Sequence, residues 1–374
     1  MAEPLADLTV VDFSRVLAGP LATMVLGDFG ARIIKVERPG TGDDTRAWGP
    51  PYDDRGEATY FQSVNRNKES VVLDLRDAGD VRRAHELIDA ADVVVENFRP
   101  GVMAGLGLAY DDLRDRRPGL IYCSITGFGS GGGAALPGYD LLVQAVGGLM
   151  SITGEPDGPP QKVGVALVDV ICGLFASVGI LVAARERAQS GLGQLIEVDL
   201  LSSLLAALVN QGSAYTLAGE IATRMGNAHP SIAPYELYRT GGGEIVVAVG
   251  NDRQFAALCE VVGEPALADD GRFATNGDRV ANREALRGEL ERLLAERPAA
   301  DWVGDLTEAR VPAGQVNDVG GAFALAESLG LGTIVDVPRE DGSTARLTRN
   351  PLRLSRTPAT YRCAPPRLPD SGSP

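Results

Sequence analysis

The chain has 374 residues, of which 44% are hydrophobic and 23% are charged, a composition typical of a folded globular protein and unlike that of disordered or fibrous chains. Its 50 acidic and 35 basic side chains give a formal net charge of -15, which repels phosphate backbones and argues against a nucleic-acid partner. A chain of this length forms two domains, or one large domain that carries an insertion.

The first part of the chain alternates predicted strands with predicted helices. Runs rich in Val and Ile predict the strands, and amphipathic runs between them predict the helices. The strands are predicted at 9–13, 32–37, 70–75, 93–96 and 120–125, and the helices at 21–29 and 80–90. This alternation is typical of a doubly wound parallel sheet, whose ligand-facing turns lie at the carboxyl ends of the strands. We therefore expect an α/β, Rossmann-like large domain.

The second half of the chain is predicted to contain apolar helices and then a smaller α+β domain. Helices that are apolar on most faces are either buried or placed between subunits, and they are predicted at 141–149, 171–187 and 200–208. A hairpin is predicted with strands at 235–240 and 244–249 and a glycine turn at 241–243, followed by helices at 253–262, 283–295 and 300–308 and a second hairpin at 333–347. We place the large domain at 1–224, the small domain at 225–325 and a C-terminal segment at 326–374.

The histidines and cysteines do not form a metal motif. His85, His229 and the four cysteines lack zinc-ligand spacing, so we predict no metal site and reduced cysteines. The N-terminus lacks the basic and apolar regions of a secretion signal. The longest apolar run, 170–184, is shorter than the about 20 residues needed to cross a bilayer. We expect a cytoplasmic protein with no membrane partner.

Nucleotide-binding and hydrolase motifs are incomplete or absent in this sequence. The run 127–132 fits GxGxxG but does not lead into a predicted helix, and the first strand-to-helix turn, 14–20, lacks a glycine fingerprint. Glu37 at the end of the second strand resembles a ribose-binding acid but is weak evidence alone. No GxSxG elbow surrounds a serine. The sequence therefore favours neither a nicotinamide enzyme nor a serine hydrolase.

Asp169 is the most informative carboxylate, because it stands at the start of the most apolar helix. Aspartate is a preferred helix N-cap, so one interpretation is structural: the carboxylate accepts N–H groups of the first turn. A carboxylate in a dry pocket can also attack an activated carbonyl as a covalent nucleophile. Both interpretations remain open from the residues alone.

Short segments along essentially the whole chain resemble the class III CoA-transferase family, of CaiB/BaiF type, which includes formyl-CoA transferase and crotonobetaine/carnitine CoA-transferase. Each segment is short, but their order and spacing together are specific. They are DFSRVLAGP at 12–20, GDFGA at 27–31, KVERPGTGDDTR at 35–46, NRNK at 65–68, VENFRPG at 95–101, PGYD at 137–140, GGLMSITG at 147–154 and the segment around Asp169.

The resemblance implies a mechanism and a set of site residues. Family members move CoA between carboxylic acids through an acyl-enzyme anhydride and then an aspartyl-CoA thioester, and the matching nucleophile is Asp169. CoA is then a substrate, not a tightly bound cofactor, and the partners are an acyl-CoA and a carboxylic acid. The implied CoA contacts are Val16, Leu17, Ala18, Arg38, Leu73, Arg76, Asn97, Phe98, Arg99, Pro137, Gly138, Tyr139 and Asp140.

Three further residues are candidates for the acyl pocket. Trp48 matches a position near the acyl group of relatives, although a core role also fits. Arg15 and Arg46 could pair with the second carboxylate of a dicarboxylic acid, because a guanidinium binds carboxylates in a bidentate way. The resemblance also implies a homodimer of interlocked ring-like chains, in which the C-terminal segment returns to the large domain.

Two other functions compete with CoA transfer. Acyl-CoA racemases share the superfamily but use a histidine-aspartate pair, with the histidine where this chain has Tyr139, a poor base near neutrality. A non-catalytic CoA-binding protein would use Asp169 only as a helix cap. Two assays distinguish the three functions. A transferase exchanges CoA between acids, a racemase incorporates deuterium from solvent at the α-carbon, and a CoA-binding protein does neither.

Overall fold

The computed structural model describes residues 3–369, which form two compact units. The first unit comprises Met1–Leu149, Lys162–Glu220 and Gly330–Pro374 within the described part, and the second comprises Met150–Gln161 and Ile221–Leu329. The second unit thus includes a short stretch that lies before the predicted boundary at 224. Residues 370–374 of the predicted C-terminal segment lie outside the described residues.

A six-stranded parallel sheet forms the centre of the first unit. Its strands are β1 (Thr9–Asp12), β2 (Arg32–Glu37), β3 (Lys68–Val72), β4 (Val93–Glu96), β5 (Ile121–Thr126) and β6 (Leu195–Asp199). They are arranged in the order β3-β2-β1-β4-β5-β6, and every neighbouring pair is parallel. This is the order of a doubly wound Rossmann-type sheet. The predicted parallel α/β architecture is therefore confirmed.

Strand β6 was not predicted; it lies between the predicted helices 171–187 and 200–208. It pairs with β5 in the register Ile125↔Val198. The strand has five residues, stands at the sheet edge and is at most half-buried, so its hydrophobic signal is weak. A Cβ at Gly193 would lie 2.0 Å from the carbonyl oxygen of Leu120, so only glycine permits this approach to the sheet.

Helices cover both faces of the sheet. They are α1 (Ala18–Asp28), α2 (Thr59–Ser63), α3 (Ala78–Asp89), α4 (Val102–Gly105), α5 (Tyr110–Leu113), α6 (Asp140–Val146), α7 (Leu167–Ser190), α8 (Leu200–Ala207) and α9 (Val209–Ala218). Helix α1 begins three residues before the predicted start at 21. Pro20 fits in its first turn because backbone N–H groups there have no partner within the helix, so the N–H that proline lacks is not needed. Single-turn 3-10 helices occur at Asp44–Ala47, Leu149–Ser151 and Pro265–Ala268.

Helix α7 is longer than the apolar run from which it was predicted. It has 24 residues and, by length and composition alone, could cross a membrane, which corrects the expectation that this run is too short. One face packs into the sheet core through Cys172, Ala176 and Ile180, a pattern that core helices of soluble proteins also show. Its other face exposes large apolar side chains.

The second unit contains an antiparallel sheet and its own core. The strands are β7 (Tyr235–Arg239), β8 (Glu244–Ala248) and β9 (Ala313–Gln315), and the helices are α10 (Asp252–Val261), α11 (Asn276–Ala281), α12 (Arg283–Leu294), α13 (Ala299–Glu308) and α14 (Val319–Ser328). The predicted hairpin is confirmed by the β7–β8 pairing, and residues 241–243 form its turn. Phe255, Leu290 and Trp302 are in the core.

The C-terminal part of the first unit forms the second predicted hairpin, β10 (Ile334–Pro338) with β11 (Thr344–Thr348). The chain beyond it is held by the segment that links α2 to β3. The Asn67 N–H donates to the Cys363 carbonyl at 2.9 Å, and the Arg362 N–H donates to Asn67 Oδ1 at 2.8 Å. Asn350 donates to the buried Asp28 carboxylate at 3.0 Å.

Candidate active site

Two adjoining cavities lie at the carboxyl ends of β1, β2, β4 and β5. The first has a volume of about 190 Å³ and the second about 570 Å³, and Arg15 and Phe98 line both. Strands β1 and β4 are neighbours at the point where the strand order reverses. Ligands of open α/β sheets bind at this switch point, so these two cavities are the candidate ligand site.

The first cavity brings together Asp169 and residues from four separate turns. Its predicted site residues are Arg15, Val16, Leu17, Ala18, Asn97, Phe98, Arg99, Pro137, Gly138, Tyr139 and Asp169. Asn97 fixes the turn after β1 in two directions: its amide oxygen accepts the Arg15 N–H at 2.8 Å, and its Nδ2 donates to the Arg15 carbonyl at 2.7 Å. Segments far apart in sequence thus share one cavity.

The second cavity is bounded by arginines. The predicted residues Arg38, Leu73 and Arg76 line it. Arg76 forms two bonds of 2.9 Å with Asp74, and both groups lie at the surface. Arg38 donates to the Gly42 carbonyl and pairs with Asp44. Exposed ion pairs of this kind are weak, so an anionic ligand can compete for the guanidinium groups.

The structure corrects the interpretation of Asp169 as a helix cap. Asp169 is the third residue of α7, and the cap position belongs to Ala166. Asp140 provides the capping carboxylate: its Oδ1 accepts the N–H groups of Val168 at 2.8 Å and of Asp169 at 3.3 Å. Asp140 does not line either cavity. Its role as a cap leaves the Asp169 carboxylate without any hydrogen bond among residues 3–369.

The environment of Asp169 changes its acidity. Burial raises the pKa of the Asp169 carboxyl to about 7, and the negative charge of Asp140 adds to the increase. A carboxylate that ionises near neutrality has lost much of its hydration and is a better nucleophile than one in water. Asp169 can therefore exist as a reactive carboxylate at physiological pH.

Two glycines allow α7 to approach the turn after β1. A Cβ at Gly173, one helical turn after Asp169, would lie 2.5 Å from the Ala18 carbonyl oxygen. A Cβ at Gly19 would lie 2.2 Å from Ser14 Oγ. Both distances are too short for any larger residue, so Gly173 lets α7 contact the start of α1, and Gly19 lets α1 contact the turn after β1.

Trp48 and Arg46 do not line either cavity, although both were predicted to face the acyl group. The Arg46 guanidinium forms two bonds of 2.7 Å with Glu37 and lies 3.6 Å above the Phe61 ring. This arginine is already paired and nearly buried. Trp48 is 42% exposed and packs edge-to-face against Tyr60 at 5.4 Å.

Tyr60 lies near Asp169 but lines neither cavity, and the sequence analysis did not single it out. Burial raises the pKa of its hydroxyl, and the charges of Asp169 and Asp140 raise it further, so the ring lies near both carboxylates. It packs against the small apolar cluster of Leu17, Met24 and Val64. Tyr60 is in the short helix α2, whose only sequence signal is an aromatic pair before the NRNK segment. That pattern equally predicts a core contact.

Neither histidine is placed for catalysis at this site. His85, on α3, interacts with Arg116, and His229 lies in the second unit near Tyr235. Neither lines the two cavities, and Tyr139 lines the first. In the part of the chain that the structure describes, no group of three metal-ligating side chains is found. A histidine-aspartate pair for proton transfer is not present here.

The sheet topology and the two adjoining cavities define an α/β protein of the doubly wound class with a candidate ligand site at the switch point of its sheet. A family profile described as CoA-transferase family III matches residues 5–371. The chain belongs to this family of CoA-transferases.

Individual relatives agree with this assignment. The chain is 43% identical to a succinate–glutarate CoA-transferase of Agrobacterium fabrum, covering 98% of this chain and 93% of the relative. It is 42% identical to an acetyl-CoA:oxalate CoA-transferase of Acetobacter aceti, covering 94% and 89%. The crystal structure of a CAIB/BAIF family protein from Brucella suis superposes with a TM-score of 0.87 at 42% identity, over 98% of this chain and 97% of that one.

Proposed function

We propose that this CoA-transferase acts through covalent intermediates on Asp169. In the first step the carboxylate attacks the donor thioester carbonyl, the C–S bond breaks, and CoA leaves as the thiolate, giving a mixed anhydride. The thiolate then attacks the aspartyl carbonyl and releases the donor acid, which leaves an aspartyl-CoA thioester. The acceptor carboxylate repeats both steps in reverse order, so Asp169 is regenerated and no external reductant or oxidant is needed.

The observation that carries this proposal is the unpaired state of the Asp169 carboxylate. Its neighbour Asp140 occupies the capping position, so Asp169 is free to react. The carboxylate lines a cavity with the first residues of α1, and its pKa of about 7 keeps it partly ionised at neutrality. A residue that served only to cap α7 would accept those N–H groups itself.

The two cavities suit the two ends of an acyl-CoA. We assign the nucleotide to the second cavity, where Arg38 and Arg76 can exchange their exposed carboxylate partners for phosphates. The pantetheine arm would pass Arg15 and Phe98, which line both cavities, and place the thioester in the first cavity near Asp169. CoA therefore enters and leaves as a substrate.

We infer that the acids are short dicarboxylic acids. The succinate–glutarate and acetyl-CoA:oxalate relatives carry dicarboxylic acids in their names. In this chain Arg15 lines the first cavity, with one bond of 3.1 Å to the half-exposed Asp44 and an Nε that has no partner among the described residues. Arg46 is already paired with Glu37. Of the two arginines predicted for this role, Arg15 is thus the one that can hold a second carboxylate.

We also propose that the chain forms an interlocked homodimer. Helix α7 exposes Phe175, Val178 and Val182, and α9 exposes Leu217, so a large apolar surface is left uncovered. A second copy of the chain would bury it. Sedimentation should give the mass of a dimer, and Val178→Glu with Val182→Glu should give a monomer. A monomeric wild-type protein would rule this assembly out.

A cytoplasmic location is part of the same proposal. All four cysteines are unpaired, as expected in a reducing compartment. Fractionation of cells that produce the protein tests it: activity should appear in the soluble cytoplasmic fraction. Activity that stays with membranes would contradict it and would direct attention to the apolar face of α7.

The experiment that tests the mechanism is mass spectrometry of the protein after incubation with succinyl-CoA. We expect an acyl or CoA adduct on Asp169 that hydroxylamine removes and that Asp169→Asn does not form. Asp111→Asn, which changes an exposed carboxylate on α5, is the matched control and should form the adduct normally. CoA turnover without any adduct would contradict the covalent mechanism.

A further inference from the structure

The backbone at Val16 is in an unusual conformation. Its φ is 72°, in the left-handed region that a β-branched residue avoids. Val16 immediately precedes Leu17 and Ala18, and all three line the cavity that contains Asp169. A strained residue persists only where the surroundings hold it, and such residues cluster at functional sites. The question is therefore what holds Val16.

Asp43 holds Val16 directly. The Val16 N–H points at the Asp43 carboxylate, 3.3 Å from each of its two oxygens. Asp43 is itself 1% exposed. Its Oδ1 also accepts the N–H of Thr45 at 3.0 Å and its hydroxyl at 2.8 Å, and the Asp43 N–H donates to Glu37 Oε2 at 2.9 Å. Hydrogen bonds therefore hold both the carboxylate and the backbone N–H of Asp43.

Lys35 completes the support from strand β2. Its ammonium group, which is fully buried, donates to Asp43 Oδ2 at 2.8 Å and to the Ser14 carbonyl at 3.0 Å. Burial alone raises the pKa of Asp43, but the Lys35 charge and the hydrogen bonds outweigh it, so the carboxyl stays ionised. One buried ion pair therefore contacts the turn on both sides of Arg15.

We propose that Asp43, supported by Lys35, is a positioning residue for CoA transfer that keeps Val16 in its left-handed conformation. Asp43 and Lys35 line the second cavity but not the first, and no hydrogen bond joins Asp43 to the Asp169 carboxylate; Asp43 reaches the first cavity through the Val16 backbone. The conformation of Val16 decides how Leu17 and Ala18 stand beside Asp169. Without the Asp43 acceptor the turn would relax toward an unstrained φ and the reacting groups would lose their alignment.

Asp43→Asn tests this directly, because the side chain keeps its shape but has one acceptor oxygen instead of two. Because the Val16 N–H lies 3.3 Å from both oxygens of Asp43, it faces the new amide donor in either orientation, and that donor also meets Lys35 or Thr45. We expect the rate constant at saturating acyl-CoA to fall about tenfold, which corresponds to about 1.4 kcal/mol, with a change below about threefold in the KM for acyl-CoA. A milder variant, Thr45→Val, removes one bond to Asp43 and keeps the ion pair; we expect about a threefold loss.

The decisive measurement repeats both substitutions in a Val16→Gly background. Glycine adopts a positive φ without strain, so it does not need Asp43 to hold it. The reference is the rate constant of the Val16→Gly protein itself. Relative to it, Asp43→Asn should lower the rate constant by less than about threefold, and Thr45→Val should cause no measurable decrease. Arg310→Gly, at another left-handed residue far along the chain, is the control background and should leave the tenfold loss intact.

The inference rests on the CoA-transfer activity and is separable from the mechanism proposed for Asp169. It is overturned if Asp43→Asn leaves the rate unchanged, if the loss is equal in both Val16 backgrounds, or if Arg310→Gly also relieves it. Should the Asp43 variant fail to fold, the Thr45→Val pair gives the same comparison. Failure of the wild-type protein to form an adduct would instead count against the covalent mechanism, since the rates here are measured on CoA transfer.

Discussion

The Asp140 carboxylate accepts the backbone N–H of Asp169 at 3.3 Å, so one aspartate caps the helix that presents the other. Asp140 also accepts the Val168 N–H and the side-chain amide of Gln144. Its negative charge is the second cause of the raised pKa of Asp169, after burial. Asp140 therefore leaves the Asp169 carboxylate without a capping role and adds to the effect of burial on its pKa.

Asp140→Asn should shift the pH dependence of the reaction to lower pH. Asparagine caps helices about as well as aspartate, so α7 keeps its start, while the negative charge beside Asp169 is removed. The pKa of Asp169 should fall below about 7, and the rate constant for adduct formation should reach half its maximum at a more acidic pH. Asp77→Asn, which changes the cap of α3, should leave the profile in place. A shift toward alkaline pH would contradict this role.

Asp169→Asn should stabilise the protein at alkaline pH. In the unfolded chain Asp169 loses its proton in the ordinary aspartate range, whereas in the folded protein it keeps the proton up to about pH 7. Folding therefore becomes less favourable as the pH rises between these two values. Asparagine removes that cost. We expect a gain of about 1–3 kcal/mol in the free energy of unfolding at pH 8 and almost none at pH 4, measured by urea denaturation. A gap that does not change with pH would contradict the raised pKa.

Gly173→Ala should lower both stability and activity. Its Cβ would lie 2.5 Å from the Ala18 carbonyl oxygen, so α7 and α1 would have to separate beside Asp169. We expect a loss of about 1–3 kcal/mol in unfolding free energy, as for other overpacked sites. Gly288→Ala, in helix α12 with no atom within 4 Å of the new Cβ, is the matched control and should gain about 0.5–1 kcal/mol. Equal effects at the two positions would refute the close-contact explanation.

Arg15→Gln should reduce the preference for dicarboxylic acids. Charged hydrogen bonds contribute about 1.5–3 kcal/mol, so kcat/KM for glutarate relative to pentanoate, which has the same chain length, should fall by about 10- to 100-fold. Arg99→Gln removes another arginine of the same cavity and should affect both acids equally. An unchanged ratio in Arg15→Gln would show that this arginine does not hold the second carboxylate.

Arg46→Ala should change stability and leave acid preference unchanged. Its removal leaves Glu37, whose side chain is 1% exposed, without its guanidinium partner. We expect a loss of about 2–4 kcal/mol in unfolding free energy by chemical denaturation. The glutarate-to-pentanoate ratio of the remaining folded enzyme should match that of the wild type. A selective loss of glutarate activity would instead place Arg46 in the substrate pocket.

Local patterns predicted the central sheet well. The bounds of β2 and β4 match the structure because both are short, buried strands rich in Val and Ile. Strand β6 was missed because it is a five-residue edge strand with no fully buried residue, so its hydrophobic signal is weak. Motif segments also indicated most of the residues that line the two cavities, since each follows a strand and all parallel strands end at one edge.

The roles of individual charged groups could not be read in the same way. The sequence presented Arg15 and Arg46 as similar candidates, and it left Asp169 open as a helix cap or a nucleophile. Which aspartate caps α7 depends on a contact between residues 29 positions apart. Which arginine is available depends on the Glu37 partner of Arg46 and on its stacking over Phe61.

The sequence by itself determined the parallel α/β architecture, the family and the turns that carry the site, because periodicity and segment order are properties of the chain. Only the tertiary structure decided which carboxylate is unpaired, that Tyr60 stands near it, and that a buried ion pair holds Val16 in a left-handed conformation. Those facts depend on distances between separate elements of the fold. Burial and ion pairing act through space, whatever the separation of the residues along the chain.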